Sequence, residues 1–146
     1  MMWMAKSFDE LTTRELYEIL KSRAEIFIKE QDINYVDPDD IDYESIHVFR
    51  MKGNRVDAYL RAHRIDDDSV KIGRVITLIH GQGIGTELME YAMNEIPTRM
   101  ACRKLIMHAQ KQAVPFYERL GFTVTSGEYL EEGVVHVNMS LDVSVS

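Results

Sequence analysis

Of 146 residues only one, Cys102, is a cysteine, and only three are prolines. A single thiol excludes an internal disulfide and any cysteine-rich metal site, and it fits a reducing compartment. No apolar stretch approaches the roughly 20 residues that a membrane-spanning helix needs. The N-terminal "MMWMAKSFDE" lacks a basic segment leading into an apolar one, the mark of a secretory signal. Cytoplasm, with no membrane partner, is therefore the expectation. A basic stripe is missing as well. Lysine and arginine number 17 against 24 acids, a net charge of −7, the reverse of a nucleic-acid footprint. The acidic excess is concentrated in "EQDINYVDPDDIDYE", residues 30–44, with seven acids and no base. Two uses fit that segment: a solvated loop, or a rim whose field draws in a cationic partner. Its aspartates lack the glycine and distal glutamate of a calcium loop, so no metal is expected.

What is present is a chain of single-domain size, 1–146, with ordinary globular composition. "ELTTRELYEILKSRAEIFIKEQ" is the clearest helix. Thr12 with Glu15 forms a capping box and Leu11 with Leu16 a hydrophobic staple. Leu16, Ile19, Leu20, Ala24 and Phe27 form its apolar face, and it is expected to reach about Glu30. A short strand at "WMAK" precedes it. After the acidic segment, "SIHVFRMK", "RVDAYLRAHRI" and "VKIGRVITLI" alternate as three sequential antiparallel strands, turned by Gly53-Asn54 and "DDDS". Val56, Ala58, Leu60 and Ala62 share one face in this reading. Leu88, Tyr91, Ala92 and Ile96 mark a helix that Pro97 closes off. "RKLIMHAQ" reads as a buried strand, "AVPFYERLG" as a short helix ended by Gly121, and "FTVTS" as a strand. A strand or loop, a Glu132-Gly133 turn and a final strand complete a mixed α/β domain.

Between the third strand and the second helix lies "HGQGIG", with Gly81, Gly83 and Gly85 at alternate positions. The third glycine falls one residue early for a dinucleotide fingerprint, and the loop follows a meander instead of opening a βαβ unit. No lysine follows, so it is not a P-loop. A strand, a glycine loop and a helix N-terminus remain. That combination serves either as a tight turn or as an anion site built from free N–H groups and the helix dipole. Thr86 adds a hydroxyl donor.

"HGQGIGTELM" resembles the acyl-CoA pyrophosphate loop of the GNAT superfamily of N-acetyltransferases, whose pattern is Arg or Gln, x, x, Gly, x, Gly or Ala. Some thirty residues on, "QKQAVPFYERLGF" is similar to that superfamily's Asn-x-x-Ala-x-x-Phe-Tyr-x-x-x-Gly-Phe segment. Ala113, Phe116, Tyr117, Gly121 and Phe122 match it, and Gln110 stands at the Asn position. "IGRV", "HAQ" and "YLEEGVVHVNMSL" extend the likeness, from about Trp3 to Leu141, to the ElaA-like branch. The resemblance implies an α/β (α+β) fold with a mixed, mostly antiparallel sheet of about six or seven strands. Helices cover both faces, and an acyl-CoA cleft opens between strands 4 and 5.

It also implies direct acetyl transfer from acetyl-CoA to an amine, in a fold compatible with a homodimer. By resemblance, Val75, Ile76 and Leu78 belong to the splayed strand, with an N–H near Ile76 to Leu78 for the thioester oxygen. His80, Gly81, Gln82, Gly83, Ile84, Gly85 and Thr86 surround the pyrophosphate, with Gln110 and Phe116 alongside. Tyr117 matches the tyrosine that protonates the departing thiolate. The amine also needs a base, for which Glu30 and His136 are the candidates, with His47, Asp37 and Glu132 in similar segments. Two features depart from the pattern. His80 replaces Arg or Gln, which predicts CoA binding that weakens as pH rises. Only Ile76, Thr77, Leu78 and Ile79 separate Val75 from His80, two residues fewer than usual. An acyl-CoA sensor without turnover, or a protein-binding domain using its acidic face, are the alternative readings.

Overall fold

The computed structural model describes residues 2–26 and 36–143. Strand β1 (Met2–Ser7) leads into helix α1 (Thr13–Glu25). After the acidic segment come the short α2 (Ile41–Glu44) and the meander β2 (Ile46–Lys52), β3 (Arg55–Arg64) and β4 (Ser69–Thr77). Helix α3 (Ile84–Met100), strand β5 (Lys104–Gln110), helix α4 (Val114–Arg119) and strands β6 (Thr123–Val124), β7 (Tyr129–Glu131) and β8 (Val134–Asp142) complete the order. The eight strands among the described residues join one sheet in the order β1-β2-β3-β4-β5-β8-β6, with β7 beside β8. Every pairing is antiparallel except β4 with β5. The sheet exceeds the expected strand number because "YLE" and "VV" fold back as a hairpin over Glu132 and Gly133, both at positive φ.

Strand alternation sends successive side chains to opposite faces, so each face has its own core. Val48, Leu60, Ile72, Leu105 and Met139 pack with Leu88, Met89, Ala92 and Ile96 of α3 on one side. Phe49, Tyr59 and Ile76 pack with Ile19 and Ile26 at α1 on the other. Each fully buried aliphatic side chain contributes about 1.5–3 kcal/mol. Val56 leaves the face of Ala58 and Leu60 because the β2–β3 register slips between Arg50 and Met51.

The capping box of α1 is formed: Glu15 N donates to Thr12 Oγ1 and Thr12 N to Glu15 Oε1. Its buried face is not the expected stripe, however. Ala24 is exposed, while Glu15, Glu18, Ile19, Ser22 and Arg23 are buried. Ser22 Oγ donates to the Val56 carbonyl at 2.6 Å, so polar anchors share the buried face with Ile19, while Leu16 and Leu20 are half-buried. Phe27 and the expected helix end near Glu30 lie outside the described residues. Pro97 does not close α3. It sits inside the helix, removing the N–H that would serve the Met93 carbonyl, and the helix ends at Ala101 with φ 49°. Pro97 itself is buried, so packing on the sheet holds the last turn. Among the described residues no helix is long and apolar enough to cross a membrane.

Candidate active site

The cleft originates in a local backbone irregularity. β4 and β5 pair only from Ser69–Ile72 against Lys104–Met107. Beyond Ile72 the β3–β4 register shifts, with Arg61 opposite Gly73 and Tyr59 opposite Ile76. The extra β4 residue is a bulge, and Arg74 within it takes φ 54°. From there β4 follows β3 and β5 follows β8, so the sheet opens.

The opening has two chambers that meet at Val75 and Ala113. The first lies below the glycine loop. Val75, Ile76, His80, Gly81, Gly83, Ile84, Gly85, Thr86 and Phe116 all line it. Gly81 and Gly83 adopt φ 79° and 74°, a region that costs other residues about 1–2 kcal/mol. Gly83 is the N-cap of the 17-residue α3, so the free N–H groups of its first turn open toward the chamber. Gly85 has ordinary helical geometry. A Cβ there would lie 3.5 Å from the Phe116 ring, an ordinary contact distance, so packing inside the protein does not by itself require a glycine at this position.

Leu78 is not brought to this chamber. Its N–H donates to the Asp57 carbonyl at 2.9 Å, and its side chain packs in the α1 core. Since successive N–H groups of a strand point to opposite edges, Thr77 and Val75 turn theirs to the cleft. Thr77 lies inside the span from Ile76 to Leu78 expected to supply the thioester N–H, and it is the bulge that selects it over its neighbours. Gln82 is exposed and lines neither chamber.

The second chamber, about 300 Å³, is lined by Lys71, Arg74, His108, Gln110, Tyr117, Glu131 and His136 among others. Tyr117, on α4 next to Phe116, is 9% exposed and packs edge-on against Phe116 and Phe122. Burial pushes its phenol up to about 12, so it remains a proton donor throughout the neutral range. His136 donates from Nδ1 to the Val134 carbonyl at 2.8 Å and faces Glu131 through Nε2 at 3.6 Å. His108, not singled out in the sequence, contacts Glu131 Oε1 from Nδ1 at 2.8 Å. Its signal was available: period two puts it opposite Leu105, Met107 and Ala109, all buried in the core.

Of the remaining base candidates, Glu132 lines this chamber from the turn between β7 and β8, and the others are placed elsewhere or outside the described residues. Glu30 lies outside them. His47 is buried, with Nε2 donating to the Asp42 carbonyl at 2.9 Å and Nδ1 accepting from the Tyr59 hydroxyl at 2.6 Å. A carbonyl only accepts, so both ring nitrogens are fixed in role. Asp37 bridges Arg23 at 2.8 Å and Arg74 at 2.7 Å. Asp39 binds Arg61 and Arg74, and Asp42 binds Arg23 and Arg61. These guanidiniums hold the Asp39 and Asp42 carboxyls below the usual range. Three aspartates thus neutralise three arginines, and of the acids expected to form a rim for the acceptor, Asp37 and Asp42 are taken up by these pairs while Asp40 is exposed. No group of three or more His, Cys, Asp or Glu suited to a metal exists among the described residues.

Comparison with known proteins gives one consistent result. The sequence model described as "Acetyltransferase (GNAT) domain" matches residues 41–143. The protein ElaA of Escherichia coli (strain K12) is 30% identical, over 97% of this chain and 96% of its own. The crystal structure of an acyl-CoA N-acyltransferase from Pseudomonas aeruginosa superposes with a TM-score of 0.89 at 30% identity, covering 97% of this chain and 99% of that one. A GNAT family acetyltransferase from Elizabethkingia anophelis, solved with acetyl-CoA bound, shares the fold with a TM-score of 0.68 at 12% identity, covering 97% of each chain.

Proposed function

Because the chain belongs to the GNAT family of acetyltransferases, we propose that it transfers the acetyl group of acetyl-CoA directly to an amine, on a small molecule or a protein. The observation that carries this reading is the two-chambered cleft: the glycine loop at one end and the buried Tyr117 in the other, joined at Val75 and Ala113. Acetyl-CoA supplies the activated acyl group. Free N–H groups between Gly83 and Thr86 suit its pyrophosphate, with the dipole of α3 behind them. His80, exposed at the loop, adds a ring N–H.

In the splayed strand, the cleft-facing N–H of Val75 or Thr77 is a fixed donor for the thioester oxygen as charge develops, without reorganisation during the reaction. The family's Asn position is taken by Gln110, which sits in the acceptor chamber and accepts from Gln112 Nε2 at 2.6 Å. Tyr117 delivers its proton to the departing thiolate. Its raised phenol makes spontaneous ionisation negligible, so the proton is available when sulfur needs it. The acceptor enters from the side of Lys71, Glu131 and His136.

Two measurements test the reading. Calorimetry with acetyl-CoA is expected to show saturable binding, and a thiol-release assay across an amine panel is expected to show turnover. Binding without turnover on any amine would instead identify a sensor, the reading suggested by the short run from Val75 to His80.

A further inference from the structure

The acceptor amine is a cation at neutral pH, so the chamber must contain a proton acceptor. β4, which lines one wall, presents the cations Arg74 and Lys71, the latter with its ammonium held below the ordinary range mainly by burial, and Ile72, Gly73 and Val75 are without a titratable group. The opposite wall is different. The β7–β8 hairpin folds Glu131 over β5, where its carboxylate meets His108 Nδ1 at 2.8 Å through Oε1 and His136 Nε2 at 3.6 Å through Oε2. An ionised carboxylate only accepts, so His108 Nδ1 carries the hydrogen and Nε2 keeps its lone pair. That Nε2 has no partner among the described residues, and the ring lines the chamber. Tyr129 braces the arrangement, edge-on to His108 and stacked on His136. Tyr129 is in turn fixed by its hydroxyl, which donates to Asn138 Oδ1.

We propose that His108 is the catalytic base of acetyl transfer, with Glu131 as the positioning residue that sets its tautomer. This inference rests on the acetyltransferase reading. The ammonium gives one proton to His108 Nε2, and the freed lone pair forms the C–N bond as the C–S bond breaks. The nitrogen then sheds a second proton. Of the two, one is balanced by the proton that Tyr117 gives to sulfur, and one leaves to solvent. Glu131 stabilises the imidazolium while it lasts. His136 differs from His108 because its Nδ1 hydrogen is spent on the Val134 carbonyl and its Nε2 faces Glu131 itself. The charged and titratable groups around His108 are Lys71 and Arg74 on β4, Glu131 and Glu132 on the hairpin, His136 on β8 and Tyr117 on α4.

The test combines one readout independent of activity with one that a packing role would not move. Nitrogen NMR of the wild-type protein should show His108 as the Nδ1–H tautomer; an Nε2–H tautomer overturns the proposal. His108→Asn retains a donor toward Glu131 and removes Nε2. It should bind acetyl-CoA as the wild type does and lose about 100-fold in kcat at pH 7. That deficit should shrink to less than about tenfold at pH 9, where more of the amine is already deprotonated in solution. A deficit constant with pH marks His108 as structural and overturns the proposal. So does a pH-dependent deficit found in His136→Gln and absent from His108→Asn, which would transfer the role. Absence of transfer by the wild type on any amine sinks the acetyltransferase reading and the base with it. Transfer by the wild type with an unaffected His108→Asn sinks only the base.

Discussion

Gly81 and Gly83 turn the backbone through positive φ, whereas Gly85 is already helical, so substitution separates conformational need from room for a ligand. Gly83→Ala should lose about 1–2 kcal/mol in urea unfolding and bind acetyl-CoA more weakly. Gly85→Ala should gain about 0.5–1 kcal/mol, because alanine is the better helix former and its methyl meets Phe116 at ordinary contact distance. If the glycine keeps the helix start low for the pyrophosphate, Gly85→Ala should nevertheless weaken acetyl-CoA binding in calorimetry. Unchanged affinity in that stabilised variant would assign Gly85 to the turn alone. His47 supports a second test at this scale. Burial first, and then the cations Arg23 and Arg61, hold its imidazole below the ordinary value against the pull of Asp42. The folded protein therefore resists protonation there while the unfolded chain accepts it. Its contribution to stability is fully present above about pH 6.5 and is lost as pH falls toward the folded value. His63 is shifted the same way, also mainly by burial. Urea midpoints should thus fall between pH 7.5 and 5.5, and His47→Phe should flatten that slope while lowering stability at pH 7.5 by about 1–3 kcal/mol. An unchanged slope would contradict this assignment.

Across elements, the segment containing Asp37, Asp39 and Asp42 ties α1 to the bulge of β4. Arg23 is fully buried and meets Asp37 and Asp42, while Arg74, the residue at φ 54°, is gripped by Asp37 through its side chain. Breaking a buried pair by removing one partner typically costs about 3–5 kcal/mol. Asp37→Asn should therefore destabilise by about 3 kcal/mol in urea unfolding and also weaken acetyl-CoA binding, since the bulge that opens the cleft loses its clamp. Loss of stability with full affinity would show that the bulge holds its own geometry. Nothing of this network was legible in the sequence, where the segment read as a charged loop. Its arginine partners lie 14 to 37 residues away, and no side-chain type announces a positive φ at Arg74. The features that could be read were local ones. The Thr12–Glu15 box, the glycine loop and the alternation of the meander each depend on neighbours within a few residues. Strand alternation marks His108 as facing away from the core, but its pairing with Glu131 depends on the register of the terminal hairpin against β5, and Pro97 stays inside α3 because burial of the helix outweighs its breaker tendency.

In the whole molecule, β1–β4 and β5–β8 form two halves of one sheet that share only the four-residue ladder from Ser69–Ile72 to Lys104–Met107. Beyond that ladder α3 and its core span both halves, and the cleft occupies the place of the missing hydrogen bonds. A ligand seated there touches the glycine loop and β4 on one side and α4 on the other, so its binding energy adds directly to the stability of the folded state. At a hundredfold excess over Kd this amounts to about 2.7 kcal/mol, roughly 5–10 °C in Tm for a chain of this size. Wild type and Tyr117→Phe should show the same shift with acetyl-CoA, because the phenol proton is needed only when the thiolate departs. The variant should still lose about 100-fold in kcat. Hydrogen exchange should slow at Val75 and Thr77, whose N–H groups face the cleft, and remain unchanged at Leu78, already bonded to Asp57. A diminished thermal shift in Tyr117→Phe would make the phenol a binding group and remove the acid from the mechanism. Protection at Leu78 in place of Thr77 would mean that the strand slides by one residue when the cleft is filled.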